Sequence, residues 1–139
     1  EDERDLIPVC QQFGVSLIPY SPLAAGHLCR PTWDSDSLRN STDQVMHRKY
    51  DKAKEQDLKI IARVAELAEK YQVSMTEIAL GWLLNKGILA PIVGATKIKH
   101  FDTALKAVEL KLSQEDMLYL EELYVAHDIS GATKENVKL

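Results

Sequence analysis

The chain has 139 residues, of which 45% are hydrophobic and 27% charged, and its net charge is −4. This balance is typical of a folded domain, and it argues against intrinsic disorder and against a general attraction to nucleic acid or anionic lipid. The apolar runs are too short for a membrane span, no signal peptide is visible, and two cysteines are too few for a disulfide framework. We therefore expect a cytoplasmic protein.

The first predicted elements are a helix and a strand. Apolar residues recur at helical spacing within residues 1–13, where Pro8 predicts that the helix either starts near it or bends. Gly14 is a suitable residue for the C-terminal end of this helix. Residues 15–20 form a short apolar run between turn signals, which predicts a buried strand. The polar stretch 23–52 then predicts a long irregular loop.

The middle of the chain predicts two helices in succession. Residues 57–71 carry two apolar stripes at helical spacing, which indicates a helix that is buried on more than one side. Ser74 and Glu77 have the spacing of a capping box, so a second helix is expected to begin there. This second helix is predicted to end at Gly87.

A second strand and two more helices are predicted after that glycine. Residues 90–95 predict a buried strand, and apolar spacing predicts an amphipathic helix through 101–108. Ser113 is placed to cap a last helix that reaches Tyr124. Strands that alternate with helices are typical of an α/β fold with a parallel sheet. Because two parallel strands alone leave unpaired edges, the chain is expected to be incomplete as a lone α/β unit.

Two segments occupy the positions where parallel α/β folds bind ligands, beyond the carboxyl ends of the strands. Residues 20–26 leave the first strand, and residues 93–100 leave the second strand and open a helix. In the second segment, the small Gly94 permits close approach to the backbone, and the helix N-terminus favours a phosphate. Lys97 and Lys99 add positive charge there. On spacing alone, an equally good interpretation is that these lysines are solvated surface residues.

Tyr20 lies at the end of the first predicted strand, where its ring can offer a flat face to a ligand. On pattern alone, a core or rim tyrosine is the favoured interpretation. The histidines show no metal-ligand spacing, and the sequence contains no Walker loop, dinucleotide glycine fingerprint or nucleophile elbow.

The same segments resemble the aldo-keto reductase family. Residues 14–28 resemble its seventh barrel strand and the loop that follows, and residues 79–84 are similar to its seventh helix. Residues 90–97, together with His100, resemble its eighth strand and the helix that grips the cofactor. All three motifs occur in register, from the start of the chain to about Gly131.

The resemblance implies the C-terminal part of a (β/α)8 barrel over residues 1–131. Residues 132–139 are expected to form a flexible tail. The resemblance also implies that NADP(H) binds in an extended form with its nicotinamide stacked on Tyr20. The residues that would hold the rest of the cofactor are Ser21, Leu23, Ala24 and Gly26 at the pyrophosphate, Gly94, Ala95, Thr96 and Lys97 at the 2′-phosphate, and His100 beside the adenine. Many members carry an acidic residue and Asn, which contact the adenine, at the positions of Thr103 and Ala104. Because this chain lacks both, weaker binding of the adenine is expected.

The family's catalytic Asp, Tyr, Lys and His have no counterpart in this sequence, and Tyr20 does not correspond to the proton-donating tyrosine. The resemblance therefore implies an NADP(H)-dependent oxidoreductase that acts on an aldehyde or ketone. This chain would supply the cofactor-binding end of that enzyme and would be inactive alone. Its partners would be the missing N-terminal half or copies of itself. The alternative is an inactive truncated paralogue or structural module, and a third possibility is a proteolytic remnant.

Overall fold

The computed structural model describes residues 2–36 and 41–126, and helices make up most of the regular structure there. The end of the predicted 1–131 unit and the predicted tail 132–139 lie outside the described residues. The helices, in chain order, are α1 (Leu6–Phe13), a 3-10 helix (Ala24–Cys29), α2 (Gln44–Tyr50), a 3-10 turn (Asp51–Ala53), α3 (Lys54–Tyr71), α4 (Met75–Asn85), α5 (Ile98–Glu109) and α6 (Gln114–Glu121).

The ends of α1 follow from two residues with unusual backbones. Pro8 lies in the first turn of the helix, where its missing N–H has no helical partner to lose. The helix therefore begins before Pro8, at Leu6, and does not need to bend. Gly14 closes it in the left-handed region with φ of 63°, as the sequence predicts.

Side-chain caps begin two later helices at the predicted residues. Ser74 accepts a hydrogen bond from the backbone N–H of Glu77, whose carboxylate accepts from the Ser74 N–H at 2.8 Å, so the predicted capping box is confirmed. Ser113 likewise accepts from the Asp116 N–H and caps α6. The predicted bounds differ at other ends, because α3 begins at Lys54, α4 ends at Asn85 before the predicted Gly87, and α6 ends at Glu121.

The two predicted strands are reduced to a single contact within the described residues. The segments 15–20 and 90–95 form no bounded strand, but Tyr20 and Ile92 form one isolated parallel bridge. The Ile92 N–H donates to the carbonyl of Pro19 at 2.8 Å. Pro19 and Pro91 have no N–H to extend the ladder, and parallel pairing is weak without further strands. The predicted parallel direction agrees with this bridge, whereas the predicted strands are wrong.

The stretch predicted as an irregular loop, 23–52, contains α2 and two short 3-10 helices in its described part. It also contributes side chains to the interior, since Trp33 is 5% exposed and His27 is 2% exposed. The expectation of an irregular loop was wrong because these burials depend on contacts with distant helices, which local composition does not record.

The core lies between α3, α4 and α6, with Trp33 added from the preceding segment. It is built from apolar side chains, which are Trp33, Ile61, Val64, Leu67, Ala68, Met75, Ile78, Leu112, Met117 and Leu120. No helix of the described residues is long and apolar enough to cross a membrane.

A second set of apolar side chains is exposed, and we call it the open apolar face. It comprises the outward stripes of α1 and α5 and residues of the two bridged segments, which are Leu6, Val9, Phe13, Val15, Ile18, Ile92, Ile98, Phe101, Leu105 and Val108. The predicted helix through 101–108 is thus present, but its apolar stripe faces solvent instead of a core.

Candidate cofactor site

The parallel bridge between Tyr20 and Ile92 brings the two candidate segments to one edge of the molecule. Because the bridged segments run in the same direction, the chain leaves both of them at the same end. Residues 21–26 and 93–97 therefore start from neighbouring points. This is the edge at which parallel α/β folds bind ligands.

Tyr20 is 72% exposed and makes no part of the core. Of the two parts of the favoured interpretation, a core or rim tyrosine, the core position is wrong and the rim position is left. Lys49, at the C-terminal end of α2, lies over its ring with Nζ 4.8 Å from the ring centre. Its ammonium also donates to the Tyr20 hydroxyl at 3.3 Å. The Tyr20 ring is thus exposed at this edge of the molecule, with the Lys49 ammonium beside it.

The segment after Tyr20 turns through the left-handed region of backbone space. Ser21 has φ of 58°, Ala24 of 47° and Ala25 of 54°, values that side-chain-bearing residues rarely adopt. Arg30 holds the turn, because one guanidinium nitrogen donates to the Gly26 carbonyl at 2.8 Å. A Cβ at Gly26 would lie 3.2 Å from that nitrogen, so the close approach favours glycine.

Two of the predicted pyrophosphate residues already use their backbone donors inside this turn. The Ala24 N–H donates to the Ser21 carbonyl at 3.0 Å, and the Gly26 N–H donates to the Leu23 carbonyl at 2.8 Å. These amides are therefore engaged, and Ala24 and Gly26 can offer a ligand only a small, close surface.

An aromatic cluster of His27, Trp33 and Tyr50, which the sequence did not reveal, lies next to this turn. His27 stacks on Trp33 with ring centres 4.0 Å apart, and the edge of Tyr50 approaches it at 5.5 Å. Burial lowers the pKa of the His27 imidazole, and the nearby Arg30 guanidinium lowers it further. The His27 ring is therefore neutral at physiological pH. No local spacing signal marks this cluster, because its members are brought together only by the fold.

The second segment is extended and opens α5. A Cβ added to Gly94 would meet nothing within 4 Å, so the backbone here is accessible. Lys97 takes the N-cap position in extended backbone without a side-chain cap, and the His100 N–H donates to its carbonyl at 3.0 Å. The Thr96 N–H donates to Nδ1 of His100 at 3.4 Å. Lys97 and Lys99 are exposed, which fits both interpretations of these lysines.

The structure thus places the predicted residues in two groups. Tyr20, Ser21, Leu23, Ala24 and Gly26 lie in one turn. Gly94, Ala95, Thr96, Lys97 and His100 lie at the start of α5. The bridge at Ile92 joins the two groups.

Two hollows among the described residues lie away from this edge. A shallow hollow of about 290 Å³ is lined by side chains of α3 and α6, among them Glu66, Lys70 and Asp116. Lys70 and Asp116 are themselves ion-paired at 2.7 Å. This hollow is a shallow groove between the packed helices α3 and α6. No cluster of His, Cys, Asp or Glu that could hold a metal occurs among the described residues.

Helices that accompany two extended segments bridged in parallel are consistent with part of an α/β fold. The sequence profile of the Aldo/keto reductase family matches residues 1–125. The chain therefore belongs to the aldo-keto reductase family, whose fold is a (β/α)8 barrel.

Three relatives illustrate the match. A Schizosaccharomyces pombe protein provisionally named aryl-alcohol dehydrogenase is 47% identical over 94% of this chain and 37% of its own length. Versiconal hemiacetal acetate reductase of Aspergillus parasiticus is 43% identical over 90% of this chain and 37% of its own. An aldo-keto reductase of Fusarium vanettenii is 41% identical over 94% of this chain and 35% of its own. The chain thus spans little more than a third of the length of these relatives.

Proposed function

We propose that this chain forms the C-terminal, cofactor-binding part of an NADP(H)-dependent aldo-keto reductase that interconverts an aldehyde or ketone and an alcohol. The observation that carries the proposal is the Tyr20–Ile92 bridge, since it sets an exposed aromatic ring and an open helix N-terminus at one edge. The names of the relatives include both reductases and a dehydrogenase, which are the two directions of this chemistry.

The residues at this edge fit an extended dinucleotide. The exposed ring of Tyr20 can stack on the nicotinamide, and the small residues of the turn can pass close to the pyrophosphate. Accessible backbone at Gly94, the start of α5 without a side-chain cap and the exposed Lys97 suit the 2′-phosphate. An anion there offsets the unfavourable placement of lysines at the positive end of a helix dipole.

When bound, NADPH supplies a hydride for the carbonyl carbon. The chain's own contribution is to orient the cofactor, because the sequence has no counterpart of the family's proton-donating tyrosine or its three partners. The open apolar face is the surface on which we propose that the rest of the barrel packs. The two free cysteines, one of them exposed, agree with the proposed cytoplasmic location.

The test is reconstitution. The full chain is mixed with the non-overlapping part of the Schizosaccharomyces pombe relative, and NADPH absorbance is followed with a generic aromatic aldehyde. We expect turnover that needs both pieces and that falls strongly when Tyr20→Ala replaces the stacking ring. A well-folded complex of the two pieces that neither binds NADPH nor reduces the aldehyde would contradict the proposal.

A second candidate is a non-catalytic module that uses the same open apolar face to bind a partner or a second copy. It is favoured by the lack of any catalytic tetrad in the sequence. Nucleotide titration separates the two functions, because a purely structural module would show no affinity for NADP(H) in isolation or in the complex.

A further inference from the structure

A lysine distant in sequence is directed at the ring of Tyr20. Lys49 lies in the last turn of α2, 29 residues from Tyr20, and its Nζ is 3.3 Å from the phenol oxygen. The same Nζ lies over the ring of Tyr50, 5.3 Å from its centre. Lys49 is therefore held between two phenol rings, one of which is the exposed ring at the candidate site.

The charge on Lys49 is retained at neutral pH. Burial works to lower the pKa of its ammonium, but the contacts with Tyr20 and Tyr50 outweigh this effect and raise the pKa above the usual 10.5. The groups that raise it are the two tyrosines, so the positive charge is held beside both phenol rings.

We propose that Lys49 is a positioning residue that sets the redox preference of the cofactor bound on Tyr20, favouring the reduced over the oxidised nicotinamide. The inference rests on the proposed stacking of the nicotinamide on Tyr20. The oxidised ring carries a positive charge that the reduced ring lacks, so a cation held against the same phenol repels only the oxidised form. The phosphates carry the same charges in both forms, and their interactions cancel in the ratio of the two affinities.

The experiment measures the dissociation constants of NADPH and NADP⁺ for the full chain in the reconstituted complex. The variants are Lys49→Met and, as a second neutral residue, Lys49→Gln. Removing the cation should lower the ratio of the NADP⁺ constant to the NADPH constant about three- to tenfold, the size expected for one partly solvated like-charge interaction. Lys49→Arg keeps the charge and should restore the wild-type ratio.

Two controls separate charge from structure. Lys54→Met removes a lysine from the next helix, where it lies over Trp33, and should leave the ratio unchanged. In the free chain, the ε-methylene protons of Lys49 should show an upfield NMR shift from the Tyr20 ring that disappears in Tyr20→Leu.

The outcomes are distinct. If the wild-type complex binds neither nucleotide, the proposed function fails and the inference fails with it. If it binds both but the neutral variants keep the wild-type ratio, or if the ring-current shift is absent, only the inference about Lys49 is overturned.

Discussion

Asp116 concentrates the strongest electrostatic contacts of the described core. Its buried carboxylate accepts from Lys70 at 2.7 Å, from the Tyr71 hydroxyl at 2.6 Å and from the Ser113 hydroxyl at 2.7 Å. Burial by itself would raise the pKa of Asp116, but these donors outweigh it and lower the pKa from 3.8 to about 2. The network ties the end of α3 to the start of α6.

This shift predicts an acid-dependent stability. Because the folded-state pKa lies below the unfolded value, the stabilisation is present above pH 3.8 and is lost as the pH falls toward about 2. Asp116→Asn should therefore lower the free energy of unfolding at neutral pH by about 2 kcal/mol and flatten its dependence on acid pH. Urea unfolding at neutral pH and at about pH 3 measures both effects.

The matched control is Glu115→Gln, which removes an exposed carboxylate from the same turn of α6. It should change the neutral-pH stability by less than about 0.5 kcal/mol. Equal losses in the two variants would show that the Asp116 network adds nothing specific.

His27 gives a second prediction at the scale of residues, that the protein loses stability in weak acid. Its pKa is lowered below the ordinary 6.5, so the stability present above 6.5 falls as the pH drops through 6.5 toward the lowered value. Arg30, Asp51 and His47 are the charged and titratable groups that act on it. His27→Phe keeps the stack on Trp33 and should abolish this part of the pH dependence.

Thermal unfolding at about pH 7 and about pH 5 provides the measurement. His100→Asn serves as the control, because it removes a histidine outside the aromatic cluster and should leave the decline in place. A His27→Phe chain that still loses the same stability over this interval would assign the decline to other groups.

At the scale of elements, the parts that sequence predicted are those determined by neighbouring residues. Gly14, Ser74 and Ser113 act on backbone within one turn of themselves, so the helix ends that they determine were predictable. Two contacts depend instead on the path of residues 23–52: the hydrogen bond from Lys49 to Tyr20 and the stacking of His27 on Trp33. Nothing in the local pattern fixes that path, and both contacts were missed.

The capping box supplies the prediction at this scale. Ser74→Ala removes the acceptor for the Glu77 N–H and should destabilise the protein by about 1 kcal/mol. Ser74→Thr keeps a hydroxyl at the cap and should lose markedly less. Chemical unfolding of both variants, compared with wild type, tests the cap, and identical losses would mean that the hydroxyl does not matter.

At the scale of the whole molecule, the apolar side chains fall into two sets, one buried in the core and one exposed. Ile61, Ile78 and their neighbours are buried between α3, α4 and α6, whereas Phe101 and Leu105 on α5 are 58% and 67% exposed. The bridged segments beside α5 have made one ladder contact. The two predicted strands favour an incomplete α/β unit, and the chain spans about a third of the length of each relative.

The open apolar face should therefore control association without controlling the fold. Phe101→Asp with Leu105→Asp places two charges on this face, while the core between α3, α4 and α6 is untouched. We expect the double variant to keep its helical circular dichroism but to lose binding to the complementary piece, and to sediment as a monomer where the wild-type chain associates. The desolvation of two carboxylates in an apolar interface of this kind is too costly for the contact to persist.

Leu118→Asp is the corresponding control, because Leu118 is 57% exposed on α6, away from the bridged segments. That variant should associate like wild type. If the control and the double variant lost binding equally, the association would depend on general solubility and not on α5. If neither lost it, the partner would pack on another surface, and the (β/α)8 arrangement proposed for this face would be wrong.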